Sequence, residues 1–183
     1  MTTTSFRSMD ESTAEQWALI ASETFKHQER VAARILSMLD ELAGITDGFA
    51  VDQRTHCLQT ATRAERDGAD EEMIMAGLCH DIGKVVSVAN HPGIAAEILK
   101  PYLRGDVIEI VRAHQDFQGR HYYQHFGADP DAREKYRGAP WFDLCAQFAD
   151  DWDQTSFDPD YPTEDLSHFE PLVRSLTASP KSL

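Results

Sequence analysis

Long apolar runs are missing from this 183-residue chain, and no stretch approaches the length of a membrane-spanning helix. Cations are scarce. Seventeen lysines and arginines face 31 aspartates and glutamates, for a formal net charge of −14. Such a surface repels nucleic-acid phosphates and anionic lipid heads, so neither a nucleic acid nor a membrane is expected as a partner. An anionic substrate would need cations gathered in its pocket. The three cysteines, Cys57, Cys79 and Cys145, fit no paired framework, so the expected setting is a reducing cytoplasm and their expected role is small buried filler. The opening Met-Thr-Thr-Thr-Ser-Phe-Arg lacks the apolar core of a signal peptide. The two-residue alternation of strands is absent, as is any internal repeat.

What is present is the composition of a globular protein, 42% hydrophobic and 26% charged, with length for one domain over residues 1–183. The pattern predicts an all-α, single compact helical bundle. Ser12-Thr-Ala-Glu15 has the form of a capping box. It opens one long helix over 12–43, with Trp17, Ile20, Val31, Ile35, Leu39 and Leu42 on its apolar positions and Gly44 as its stop. Asp52 caps a helix carrying His56 that ends near Gly68, and Asp70 caps another that runs into His80. Further helices are predicted over 92–99, 106–114, 119–126, 130–136, 141–153 and 163–176, with loose extreme ends.

The chemistry centres on Ala76-Gly-Leu-Cys-His-Asp-Ile-Gly-Lys84, where an apolar run ends in the adjacent donors His80 and Asp81. Neighbouring helix residues point about 100° apart, so one helix aims both inward only if the chain turns there. Gly83 is the expected source of that turn. A carboxylate has two oxygens and can bridge two ions, which makes Asp81 the candidate bridge. His56 lies near the apolar face of its helix. His91 opens one helix and His114 closes the next, an arrangement suited to an antiparallel pair. Asp153 sits between the bulk of Trp152 and Phe157, whereas Asp150 and Asp151 read as a solvated helix end. Six nitrogen and oxygen donors without thiolates exceed what one ion needs and suit iron, manganese, zinc or nickel. His121 and His125, four apart, read as a surface helix face.

These residues in this order resemble the HD-domain superfamily, whose His…His-Asp…Asp set holds metal inside a helical bundle; the resemblance covers about 52–158. The two intervening histidines narrow it to dinuclear members. Within those, His56-Cys-Leu-Gln-Thr-Ala61, His80-Asp-Ile-Gly-Lys84 and Trp152-Asp-Gln-Thr-Ser156 are similar to the mixed-valent diiron oxygenases, which include myo-inositol oxygenase and organophosphonate-cleaving enzymes. The resemblance implies His56, His80, Asp81 and Asp153 on one iron and Asp81, His91 and His114 on the other. It further implies two iron ions, Fe(II)/Fe(III), with O2 as co-substrate, taking hydrogen from a hydroxyl-bearing carbon and cleaving the adjacent C–P or C–C bond. Asp81 and Lys84 are then the catalytic pair, with Lys84 binding a substrate oxygen. Two departures stand out. Thr46-Asp-Gly-Phe49 lacks the tyrosine and glutamate that lid the iron in some relatives, and Lys84 replaces a histidine found in one of them.

The expected substrate contacts are Lys84, Gln118, Arg120, Tyr123, Arg137, Gln154 and Ser156. Arg120 or Arg137 would neutralise a phosphonate. Aromatics drawn from Phe117, Tyr122, Tyr123, Trp141 and Trp152 would enclose a quaternary ammonium. The expected substrate is therefore a small hydroxy-aminophosphonate of the trimethylammonio-ethyl type, acted on by a monomer or small homo-oligomer. Two other readings stand beside it: a metal-dependent HD phosphohydrolase acting on a nucleotide or other phosphate ester, and a noncatalytic binding module, which would call for a broken ligand set.

Overall fold

In the computed structural model, residues 3–181 are described, and among them the regular structure is entirely helical. Two central helices form where the sequence places them. Asp52 accepts from the Thr55 backbone N–H at 2.7 Å and opens α3, Gln53–Arg66. Asp70 accepts from the N–H groups of Glu72 and Met73 and opens α4, Glu71–Cys79. Every residue of α4 from Met73 to Cys79 is buried, as an all-round apolar helix requires. By contrast, α3 is polar yet largely buried. Much of that polarity is satisfied within the fold: Thr60 and Thr62 donate to the carbonyls of His56 and Leu58, and Gln59 exchanges two hydrogen bonds with the backbone of Asp158, while Gln53 Nε2, Arg54 Nε and Arg63 Nε make none. A Cβ on Gly77 would meet the Ala61 backbone N at 3.2 Å, so small residues let α3 and α4 pack face to face.

Around this pair stand α5 (His91–Leu99, with Pro92 in its first turn) and α6 (Gly105–Gln118), packed on each other. Next comes α7 (Phe142–Gln147), which runs on as a π-helical turn over Phe148–Asp153, and that turn packs against both α3 and α6. The helix α8 (Leu166–Leu176) closes the bundle against α2 (Val31–Glu41) and α4. The core runs from Ile35, Leu39 and Leu42 through Met73 and Leu78 to Phe117, Phe148 and Phe169.

Several sequence expectations need correction. The long helix over 12–43 is two helices: α1 (Ala14–Phe25) and α2 are separated at residues 26–30, where Gln28 donates to the Thr177 carbonyl at 2.9 Å and to the Tyr102 hydroxyl at 3.2 Å. That side-chain anchor fixes the break without glycine or proline. The capping box is Thr13 with Gln16 rather than Ser12 with Glu15, and Trp17, assigned to the core, is exposed. The helices expected over 119–126 and 130–136 are short 3-10 turns, and the last helix starts at Leu166 rather than at 163. The extreme ends expected to be loose, residues 1–2 and 182–183, lie outside the described residues. Among the described residues, no helix is long and apolar enough to cross a membrane.

Candidate metal centre

All six expected donors converge at one buried point. His56 comes from α3, His80 and Asp81 from the end of α4, His91 from the first turn of α5, His114 from α6 and Asp153 from the end of the π turn. None is more than 5% exposed. The chain turns at His80 and Asp81 themselves: α4 ends at Cys79, and a 3-10 turn over Ile82–Val85 follows. Gly83 is needed for space rather than for bending. A Cβ there would lie 2.2 Å from the His91 carbonyl oxygen, so the glycine lets the His80-Asp81 turn touch the segment that carries His91.

Each imidazole is held by a backbone carbonyl at Nδ1: His56 by Ser156 at 2.9 Å, His80 by Gly77 at 2.8 Å, His91 by Val88 at 2.8 Å and His114 by Val111 at 2.7 Å. A carbonyl only accepts, so every Nδ1 carries the proton and every neutral ring turns a bare Nε2 lone pair inward. Those lone pairs then face one another, His56 and His80 at 3.1 Å, His91 and His114 at 3.3 Å. Two unprotonated nitrogens this close repel unless a cation lies between or beside them. The carboxylates tell the same story. Asp81 Oδ1 is 3.0 Å from His91 Nε2 and 3.5 Å from His114 Nε2 yet makes no hydrogen bond, and the buried Asp153 Oδ2 has no partner at all. Unpartnered buried oxygens and facing lone pairs fit metal ions.

The donors fall into overlapping triplets. His56, His80 and Asp81 form one, and Asp81, His91 and His114 another; His80, His114 and Asp153 link them into a continuous cluster. Asp153 Oδ1 approaches His56 Nε2 at 3.0 Å and His80 Nε2 at 3.5 Å, which places it on the first triplet's side. Asp81 thus belongs to two of the three triplets, and His80 and His114 each to two as well.

Burial favours the neutral acid at Asp81, but His80, His114, His91 and Lys84 outweigh it and hold its pKa well below the ordinary range. Asp153 is held down in the same way by His80 and His56. Both carboxylates are therefore ionised at neutral pH, ready to bind a cation without first losing a proton. Burial likewise favours neutral His80, yet Asp81 and Asp153 win and raise its pKa, whereas at His114 burial prevails and lowers it. Burial pushes the Cys57 and Cys79 thiols up, and among the described residues the donor triplets contain no cysteine.

Lys84 meets the centre directly, donating to Asp81 Oδ2 at 2.6 Å and to Gln53 Oε1 at 2.7 Å. Of the expected substrate contacts, Gln118 reaches the cluster by donating to Asp153 Oδ1 at 2.8 Å. Ser156 reaches it through its carbonyl on His56, while its hydroxyl bonds back to Trp152. Gln154 donates to the Asp150 carbonyl. Arg120 and Arg137 are exposed and paired with Asp131 and Glu134, and Tyr123 packs on Tyr122. The aromatic cage does not assemble as expected: Phe117 and Trp141 pack on Tyr136 in the core, and Trp152 donates to Asp67. Tyr122 is partly buried, where burial raises its phenol, and it packs against Tyr123 and Phe126. His121, expected on the surface, bonds Asp150 at 2.9 Å together with Arg133, so Asp150 is more than a solvated helix end.

Gln53 escaped the sequence reading, and Phe157, read there as bulk beside Asp153, covers His56. Gln53, fully buried, lies three residues before His56 on the same helical face, a spacing that signals its proximity. Phe157 stacks on His56 with ring centres 4.2 Å apart, and Phe49 stacks on Phe157 at 4.6 Å, so two aromatic layers cover that ligand.

No curated protein matches the chain. The model of the HD domain family, however, matches residues 54–158, more than half the sequence and the whole span from the first candidate ligand, His56, to the last, Asp153. On that match, and with its His and Asp donors gathered in that order at one buried point, this protein belongs to the HD domain family.

Proposed function

We propose that this protein is a mixed-valent Fe(II)/Fe(III) oxygenase that uses O2 to cleave the C–P (or C–C) bond beside a hydroxylated carbon. The proposed substrate is a small hydroxy-aminophosphonate such as 1-hydroxy-2-(trimethylammonio)ethylphosphonate, which would give the enzyme a place in phosphonate catabolism. One observation supports this reading: six buried N/O donors form overlapping triplets, two of which share Asp81, and we assign four donors to one iron (His56, His80, Asp81, Asp153) and three to the other (Asp81, His91, His114). Both counts leave positions open for small ligands, and hard oxygens with imidazoles suit both oxidation states of iron. Bound there, two irons would supply the O2 chemistry.

The chain's own residues do the rest. Lys84 presents an ammonium beside Asp81, where a substrate hydroxyl or phosphonate oxygen gains a charge-assisted hydrogen bond. Gln53 fixes the direction of that ammonium. Phe49 and Phe157 keep water from the His56 side. The depth of the donors favours a small substrate over a nucleotide. The competing reading, metal-dependent hydrolysis of a phosphate ester, draws on the same Lys84 as a phosphate-facing cation.

The two separate on metal content and low-temperature EPR of aerobically and anaerobically purified protein, with O2 uptake on hydroxyphosphonates and polyols. Two irons per chain, a coupled S = 1/2 signal after partial reduction and substrate-dependent O2 uptake are expected. Phosphate release supported by Mn²⁺ or Ni²⁺ without O2 would replace the oxygenase by the hydrolase.

A further inference from the structure

The helix α1 has no buried residue. Its apolar residues Ala14, Trp17, Ala18, Ala21 and Phe25 recur at i, i+3, i+4, i+7 and i+11, which places them on one face, and all five are exposed. Trp17 is 45% and Phe25 58% exposed. Twelve residues make a helix that is marginal in water unless a partner covers its apolar face. Residues 9–25 also carry Asp10, Glu11, Glu15 and Glu23 and no lysine or arginine.

Beside it, α2 and α5 form a groove of about 450 Å³. Its wall is Val31, Ile35, Met38 and Ile98, and its rim is Arg30, Arg34 and His27. Most cations of this acidic chain sit against carboxylates: Arg104 on Asp70, Arg112 on Glu97, Arg174 on Glu170. Arg30 and Arg34 are exposed, and among the described residues neither has a carboxylate within ion-pairing distance.

We infer that the groove receives α1 of a second copy of this chain, in a reciprocal two-fold dimer. The match is both apolar and electrostatic. The Trp17–Phe25 face lies on the Val31–Met38 wall, and a parallel approach, Trp17 toward Val31 and Phe25 toward Met38, brings Glu11 and Glu15 to Arg30 and Arg34 of the other protomer. A two-fold axis repeats the contact, so each copy covers one exposed face and fills one groove. The break at residues 26–30 is the hinge from which α1 reaches outward.

Charge reversal tests the inference without touching the metal centre. Sedimentation velocity and light scattering over a concentration series should show the wild type at twice the 20.6 kDa chain mass. Arg30→Glu/Arg34→Glu should sediment at the chain mass, and so should Glu11→Lys/Glu15→Lys. Mixed in equal amounts, the two variants should regain the double mass, because in the heterodimer each reversed groove meets a reversed helix. Circular dichroism of each variant checks that the helices persist. Wild-type protein at the chain mass at about 100 μM, or a mixture that stays at the chain mass, would overturn the proposal; the second result would indicate that α1 packs within its own chain.

Discussion

Gly83→Ala is the sharpest single probe of how the centre is built. The added Cβ would lie 2.2 Å from the His91 carbonyl oxygen, 2.7 Å from its Cα and 2.8 Å from its carbonyl carbon. All three are backbone atoms, so no side chain can swing aside. Restoring the 3.4 Å of ordinary contact asks for about 1.2 Å of separation between the two segments. Metal–ligand distances tolerate only about 0.2 Å, so a shift of that size misplaces His91 as a donor. Overpacking of this kind costs about 1–3 kcal/mol. In a domain of this length that corresponds to a Tm lower by roughly 2–12 °C. Metal content by elemental analysis should fall from two ions toward one per chain, because His56, His80 and Asp153 keep their supports. Gly105→Ala is the matched control, since nothing lies within 4 Å of its Cβ position. A Gly83→Ala protein with wild-type Tm and full metal content would refute both the packing argument and the assignment of His91.

On the proposed diiron reading, His91→Ala should empty one donor set and abolish O2-dependent turnover while leaving about one ion bound; retained full activity would sink the ligand assignment. Stripping metal with a chelator should lower Tm by roughly 5–11 °C per site held at 100 times its dissociation constant, that occupancy being worth about 2.7 kcal/mol, and re-addition should restore it; calorimetry with unchanged Tm would mean the folded chain binds no metal. At Asp70, a side-chain bond from Arg104 holds the pKa below its ordinary value, so its contribution to stability is present above about pH 4 and is lost as pH falls through the folded value. The side chain is 55% exposed, so Asp70→Asn, which keeps an N-cap acceptor, should cost well under about 1 kcal/mol at pH 7. Urea unfolding at pH 7 and pH 3 should show that gap narrowing with acid, and a widening gap would contradict the sign.

Much of the centre was legible because its ligands sit where sequence punctuation is strongest. Asp52 and Asp70 announce the starts of α3 and α4, which fixes the phase of His56 and His80, and the all-apolar run before His80 gives the depth. What the sequence hides is hydrogen bonding over long separations. The break in the N-terminal helix depends on Gln28 reaching Thr177, 149 residues away, so local propensity reads straight through it. The π turn at Phe148–Asp153 has no marker of its own, and it sets the direction of Asp153. Gly83 was visible as a glycine, but its reason is a neighbour rather than a dihedral angle. The expected substrate arginines also depend on context that the sequence hides: Arg120 and Arg137 are exposed and lie against the nearby carboxylates Asp131 and Glu134.

The carbonyls behind the four imidazoles also impose an order of assembly. His80, His91 and His114 each lean on a carbonyl three residues upstream, so those rings are aimed as soon as their own turns form. His56 leans on Ser156, 100 residues downstream, and stays unaimed until the chain has been made past that point. The aim of three imidazoles is thus a local property of the chain, whereas that of His56 depends on two ends of the domain being folded together.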